Sequence, residues 1–85
     1  MTTVYDGRQI GGFWGYRRGN LSIMDCGTVW EQIDDNATPS YGDFPRCRVL
    51  FDPSDGGYFL FVVGMESVAE VVRYEGRRTA ARGSP

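Results

Sequence analysis

The stretch Arg46–Val63, RCRVLFDPSDGGYFLFVV, constrains this chain more than any other. Two runs rich in apolar and aromatic residues, Arg46–Asp52 and Tyr58–Gly64, flank the turn-forming cluster Pro53-Ser54-Asp55-Gly56-Gly57. That pattern is a β-hairpin. In the first run Cys47, Val49 and Phe51 share one face, and Arg46, Arg48 and Leu50 share the other. In the second, Phe59, Phe61 and Val63 stand opposite Tyr58, Leu60 and Val62, so both faces are apolar. Such a strand belongs in the middle of a sheet, covered on both sides. In a chain of 85 residues the outer cover must come from a long loop or a second subunit. A homo-oligomer is therefore expected, and oligomerisation is a usual remedy for the small core of so short a domain.

The rest of the chain reads as short strands and turns. Arg8–Arg18, RQIGGFWGYRR, is apolar on both parities and interrupted by Gly11, Gly12 and Gly15. This is the pattern of a strongly bent first strand, whose glycines also make room for neighbouring rings. Gly19-Asn20 marks a tight hairpin turn. Leu21 and Ile23 then alternate with Ser22 and Met24 in a short half-buried strand. After the turn Asp25-Cys26-Gly27, the run Gly27–Ile33 separates Val29, Glu31 and Ile33 from Thr28, Trp30 and Gln32. Trp30, set between polar neighbours, reads as a partly exposed indole. Asp34–Gly42, DDNATPSYG, is a long loop by composition, and long ordered loops are frequent binding sites. Tyr41 and Phe44 lead from it into Pro45. Val68–Tyr74 reads as a last strand from its β-branched content. A short helix is the alternative there, because Met65, Val68, Ala69 and Val72 are spaced i, i+3, i+4 and i+7. Met1–Gly7 is a polar lead-in, able to add an edge strand through Val4 and Tyr5. The expectation is one all-β domain over residues 1–75, a small barrel of five or six strands, and a disordered Arg-containing tail over 76–85.

The pattern Gly27-x-Val29-Trp30-x-Gln32, then Pro45-Arg46-x-x-Val49, then Gly56-Gly57-Tyr58-x-Leu60-x-Val62-x-Gly64-Met65 resembles one seen in small uncharacterised bacterial proteins. The resemblance covers Ile10–Tyr74 and ends in Val71-Val72-Arg73-Tyr74. It implies an SH3-like barrel. The chain is also similar to the small proteins carried on integron gene cassettes. That family supplies no catalytic residues to transfer.

Composition excludes several chemistries. With no His, neither a Ser-His-Asp nor a Cys-His arrangement can form. Cys26 and Cys47 make a disulfide possible, but two buried or half-buried thiols in a cytoplasmic protein are the expectation. The acidic pairs Asp34-Asp35, Asp52/Asp55 and Glu66/Glu70 fall mostly in turns rather than across a cleft. No motif for a metal, cofactor or nucleotide phosphate is present, and no apolar run reaches membrane-spanning length. All nine basic residues are Arg, three of them (Arg77, Arg78, Arg82) in the tail. The remaining six face eleven carboxylates, a balance of −5 that argues against a nucleic-acid partner.

What remains is an aromatic set with Arg companions. Trp30 and Gln32 share a strand face, Tyr41 and Phe44 border the loop, and Trp14 and Tyr16 lie on the bent strand. Arg17, Arg46 and Arg48 are the polar companions. Aromatics beside Arg suit a protein or peptide ligand. The expectation is thus a self-associating binding module without a catalytic set. The alternatives are a small-ligand or enzyme site formed between subunits, motivated by Gln32 beside Trp30, and single-stranded nucleic-acid binding.

Overall fold

The computed structural model describes residues 1–75, and the expected tail lies outside them. The chain forms β1 (Thr2–Arg8), β2 (Gly12–Gly15), β3 (Leu21–Ile23), β4 (Val29–Gln32), β5 (Pro39–Asp43), β6 (Arg46–Asp52), β7 (Gly57–Val62) and β8 (Ala69–Arg73). All pairings are antiparallel and no helix occurs among the described residues. Six strands build one sheet in the order β1-β6-β7-β8-β4-β3, and β2 and β5 form a second. The hairpin β6–β7 runs in continuous register from Cys47 opposite Val62 to Asp52 opposite Gly57. β7 lies between β6 and β8, as its two apolar faces require. The last strand forms as its β-branched residues favour, with Leu60 opposite Ala69.

The large sheet curls until its two ends approach each other. Gln9, just past β1, bridges Met24, just past β3. Main-chain bonds flank that bridge on both sides, from Asp25 N to Arg8 O at 2.9 Å and from Ile10 N to Ile23 O at 2.8 Å. The seam is confined to this bridge outside the named strands, so the sheet does not close as a ladder into a barrel. Inside the curl lie Met24, Trp30, Cys47, Val49, Leu60, Val62, Ala69 and Val71. The small sheet lies against this core through Phe13 and Tyr16, whose rings meet edge to face at 5.6 Å.

Four expectations need correction. Thr2–Arg8 is not a polar lead-in but an edge strand on β6, the alternative that Val4 and Tyr5 allow, with a register shift between Thr3 and Tyr5. The bent first strand is therefore split, with β1 on the large sheet and β2 on the small one. The second half of the expected loop Asp34–Gly42 is instead part of the strand Pro39–Asp43, because β2 offers it a free edge. The faces of β3 and β4 are also reversed. Ser22, Met24, Trp30 and Gln32 point inward, while Leu21 and Ile23 are exposed. A period of two separates a strand's faces without saying which is inside. Here Met24 and Trp30 lie in the core. Cys26, finally, is exposed, and both cysteines are free thiols.

The join between the sheets is tight. Gly15 sits at a bulge with φ of 106°. A β-carbon there would fall on the Thr38 carbonyl oxygen, 2.7 Å from Pro39 Cα and 2.8 Å from Ser40 N. These are backbone atoms that cannot swing aside. Gly12, by contrast, would place a β-carbon 3.5 Å from Trp14 Nε1, an ordinary contact. Gly15→Ala is expected to lower unfolding free energy by about 3 kcal/mol or more, from strain and overlap together. Gly12→Ala should stay within about 1 kcal/mol of the parent. Urea denaturation of the two variants measures the difference.

Candidate functional site

The small sheet carries the exposed aromatics. Trp14 on β2 is 73% exposed and Tyr41 on β5 is 61% exposed. Their rings stack at 4.6 Å with planes tilted by 50°. The bare Cα of Gly12 lies beneath both rings and leaves the face free for them. Phe44, also exposed, follows β5 in the left-handed region, with φ of 49°. Arg8 holds it there by donating from Nη1 to the Phe44 carbonyl at 2.7 Å, and Phe44 N donates to Gly11 O at 3.0 Å.

Beside this pair lies a cavity of about 620 Å³, within the usual range for ligand sites. Its origin is a parting of β2 from β3. The two chains are joined at the seam, between Ile10 and Ile23, and again at the turn, where Asn20 N donates to Arg17 O at 3.1 Å. Between those points the β2 side is the longer and arches outward. Gly11, with φ of 83°, starts the arch. Two side-chain amides stand in for the missing main-chain partners. Gln9 Nε2 donates to Gly12 O at 3.2 Å, and Asn20 Nδ2 donates to Gly15 O at 3.1 Å. Trp14, Tyr16, Arg17, Leu21 and Ser22 also line the cavity. A second depression of about 280 Å³ lies on the Tyr41 side, against Val63 and Met65. The stacked pair therefore forms a ridge between two hollows.

The expected site residues divide into three groups. Trp14, Tyr41, Phe44 and Arg17 are exposed on this lobe. Trp30, Gln32 and Tyr16 are buried. Trp30, only 7% exposed, belongs to the core; its ring lies 5.3 Å from Tyr58 and its Nε1 donates to Thr28 Oγ1 at 3.1 Å. Gln32 is held by the protein itself. Its Oε1 accepts from Arg17 N at 2.7 Å, and its Nε2 reaches Asp34 Oδ1 at 2.8 Å and Asn36 O at 2.7 Å. Tyr16 lends the cavity a ring edge, but its hydroxyl is engaged with main-chain groups of the large sheet. Arg46 and Arg48 stand on the outer face of β6, where both engage Asp6, at 3.5 and 3.4 Å. Neither lines the cavity. Sequence reasoning missed Gln9, Asn20 and Ser22, because nothing in an isolated strand pattern says where two strands will part.

The remaining polar groups are structural. Arg18 and Asp35 form an exposed ion pair at 2.6 Å; hydrogen bonding and attraction within it hold the Asp35 carboxyl below its usual range. Among the described residues no cluster of three or more His, Cys, Asp or Glu is placed to hold a metal. No helix among the described residues is long and apolar enough to cross a membrane. The hydrogen bond to Thr28 lowers the exposed Cys26 thiol, whereas burial pushes Cys47 up to about 11. A group whose folded pKa is raised stabilises fully below its unfolded value and less above it. Stability should therefore fall as pH rises from about 9 toward 11, and Tyr5, raised to about 12 chiefly by burial, extends that fall upward. Cys47→Ala should flatten the lower part of the curve in pH-resolved denaturation. At neutral pH a thiol reagent should label Cys26 in the folded protein and Cys47 only after unfolding.

Comparison with protein-family models, with curated proteins and with solved structures finds no match for this chain.

Proposed function

We propose that this protein is a small binding module that grips a segment of a protein or peptide partner at the Trp14–Tyr41 ridge. The observation that carries this is the ridge itself, two stacked aromatic rings left mostly in water beside a cavity of about 620 Å³. Large rings with few rotatable bonds make strong anchors at low entropic cost. Burying Trp14 and Tyr41 against a partner removes apolar area worth a few kcal/mol at roughly 25 cal/mol per Å². The alternative of a site built on Trp30 and Gln32 loses its motivation, since both side chains are occupied within the core. A single nucleic-acid strand would meet the same rings, but on a chain with net charge −2.

Two finer features belong to the same proposal. The curled sheet with its bent, split first strand is SH3-like in kind, supported by the seam between Gln9 and Met24. The module self-associates, supported by the outward residues Leu21, Ile23 and Val72 and by the half-buried outer rings of Phe59 and Phe61.

Selection of a phage-displayed peptide library on the protein tests the reading. Enriched peptides should bind the parent and lose at least about tenfold in affinity with Trp14→Ala, a loss of the size expected for an anchor residue. The urea-unfolding midpoint of the variant should stay close to that of the parent, because Trp14 is outside the core. Absence of enrichment, or enriched peptides indifferent to Trp14, would remove the proposal. Light scattering at increasing concentration tests association separately, and a persistent monomer would remove that half.

A further inference from the structure

The arch over the cavity leaves polar groups that the protein itself does not use. Past Ile10 and Ile23 the seam would next pair Gly12 with Leu21. Instead both residues line the cavity. On the β3 side, Gln32 N donates to Asn20 O and Met24 N donates to Thr28 O. Those bonds turn the even-numbered main-chain groups of β3 toward β4. By the alternation of an antiparallel pair, the N–H of Leu21 then points to the cavity. Gln9 is 5% exposed, and its Oε1 is a buried acceptor with no partner. Its orientation is settled, since Nε2 is already given to Gly12 O. Among the described residues Arg17 is the one charged residue of the lining. Its guanidinium makes no ion pair or hydrogen bond among the described residues, unlike its neighbour Arg18 on Asp35.

We propose that this cavity receives an aspartate or glutamate side chain of the bound peptide. The peptide carboxylate meets the Arg17 guanidinium and the Leu21 N–H. An N–H of the same peptide supplies the donor that Gln9 Oε1 lacks, and the residue beside the acid packs on Trp14. Guanidinium and carboxylate are matched in plane and spacing, so the pairing is directional as well as attractive. The chain as a whole carries net charge −2, which by itself would draw a basic peptide. The charge of the cavity wall is the opposite, so the two sources of preference separate cleanly. This inference rests on the peptide-binding reading above and adds the class of residue recognised.

The probe is the most enriched peptide from the library selection, together with its acid-to-amide variant. The enriched set should share an Asp or Glu at one position. Replacing that residue by Asn or Gln should weaken binding about tenfold, the size of one charge-assisted hydrogen bond. Arg17→Gln should weaken the parent peptide equally and the amide variant no further, so the double change is not additive. Arg17→Glu combined with an acid-to-Lys peptide should restore binding. Trp14-dependent peptides that carry no acidic position, or that bind Arg17→Gln unchanged, would overturn this inference and leave the binding-module reading standing. No enrichment of any peptide would overturn both.

Discussion

One buried phenol holds the two sheets together. Tyr16, at the end of β2, reaches across to the large sheet, where its hydroxyl donates to Ser67 O at 2.8 Å and accepts from Val62 N at 3.1 Å. Leu60 O stands at 3.2 Å as a second acceptor. These groups sit at the end of β7 and in the turn that follows it, where regular ladder pairing stops. Without the phenol, a buried main-chain N–H would be left unsatisfied, which costs more than an ordinary hydrogen bond contributes. Burial raises the Tyr16 pKa, so the proton it donates stays in place. Because Tyr16 is pinned inward, the residues just before it must arch over β3, and the cavity is the space under that arch.

A second buried polar group fixes the other wall. Gln32 faces the core among apolar side chains, and its amide is used at both ends. It ties the Arg17 turn to the segment at Asp34 and Asn36. Asp34 in turn accepts from Glu70 N at 2.9 Å, and Asn36 donates to Val68 O at 3.0 Å. The connection that precedes β5 is thereby anchored to β8. A satisfied network of this kind specifies one arrangement of the chain, because any shift leaves several buried groups unpaired. The exposed ridge inherits that rigidity. Trp14 and Tyr41 stand on strands whose ends are fixed by Tyr16 and by the Gln32 network, so two large rings can remain in water without collapsing onto the core.

The proposed binding face is partly legible in the sequence. Trp14, Tyr41, Phe44 and Arg17 stand out in sequence as aromatics and a cation beside glycines and a loop, and the fold leaves all four exposed. Trp30 misled for a specific reason. Its flanks, Val29 and Glu31, belong to the opposite face, and its same-face neighbours Thr28 and Gln32 are polar. The ring nevertheless fills the core, with Thr28 accepting its Nε1 hydrogen and Gln32 satisfied by the chain around it. Polar neighbours signal exposure only when they lack internal partners. Arg46 and Arg48 share one face of β6, as their alternation requires, but Asp6 on β1, distant in sequence, occupies them both. That contact exists only because β1 becomes an edge strand. Gln9 and Ser22 carried no signal, since their burial depends on the seam.

The sequence by itself determined the all-β class, the β6–β7 hairpin with its central second strand, the turn at Asp25–Gly27 and the strand character of Val68–Tyr74, whereas the hairpin expected at Gly19-Asn20 is only a turn from Arg17 to Asn20 between strands that do not pair. Each of these is local, resting on alternation and on turn residues within a few positions of one another. Only the tertiary structure decided which faces of β3 and β4 point inward, that Pro39–Asp43 is a strand, and that β2 leaves β3 to open a cavity. Those outcomes depend on contacts between residues far apart in the chain, such as Tyr16 with Val62 and Gln9 with Met24, and their geometry is set by how volumes and hydrogen bonds close together rather than by any local pattern.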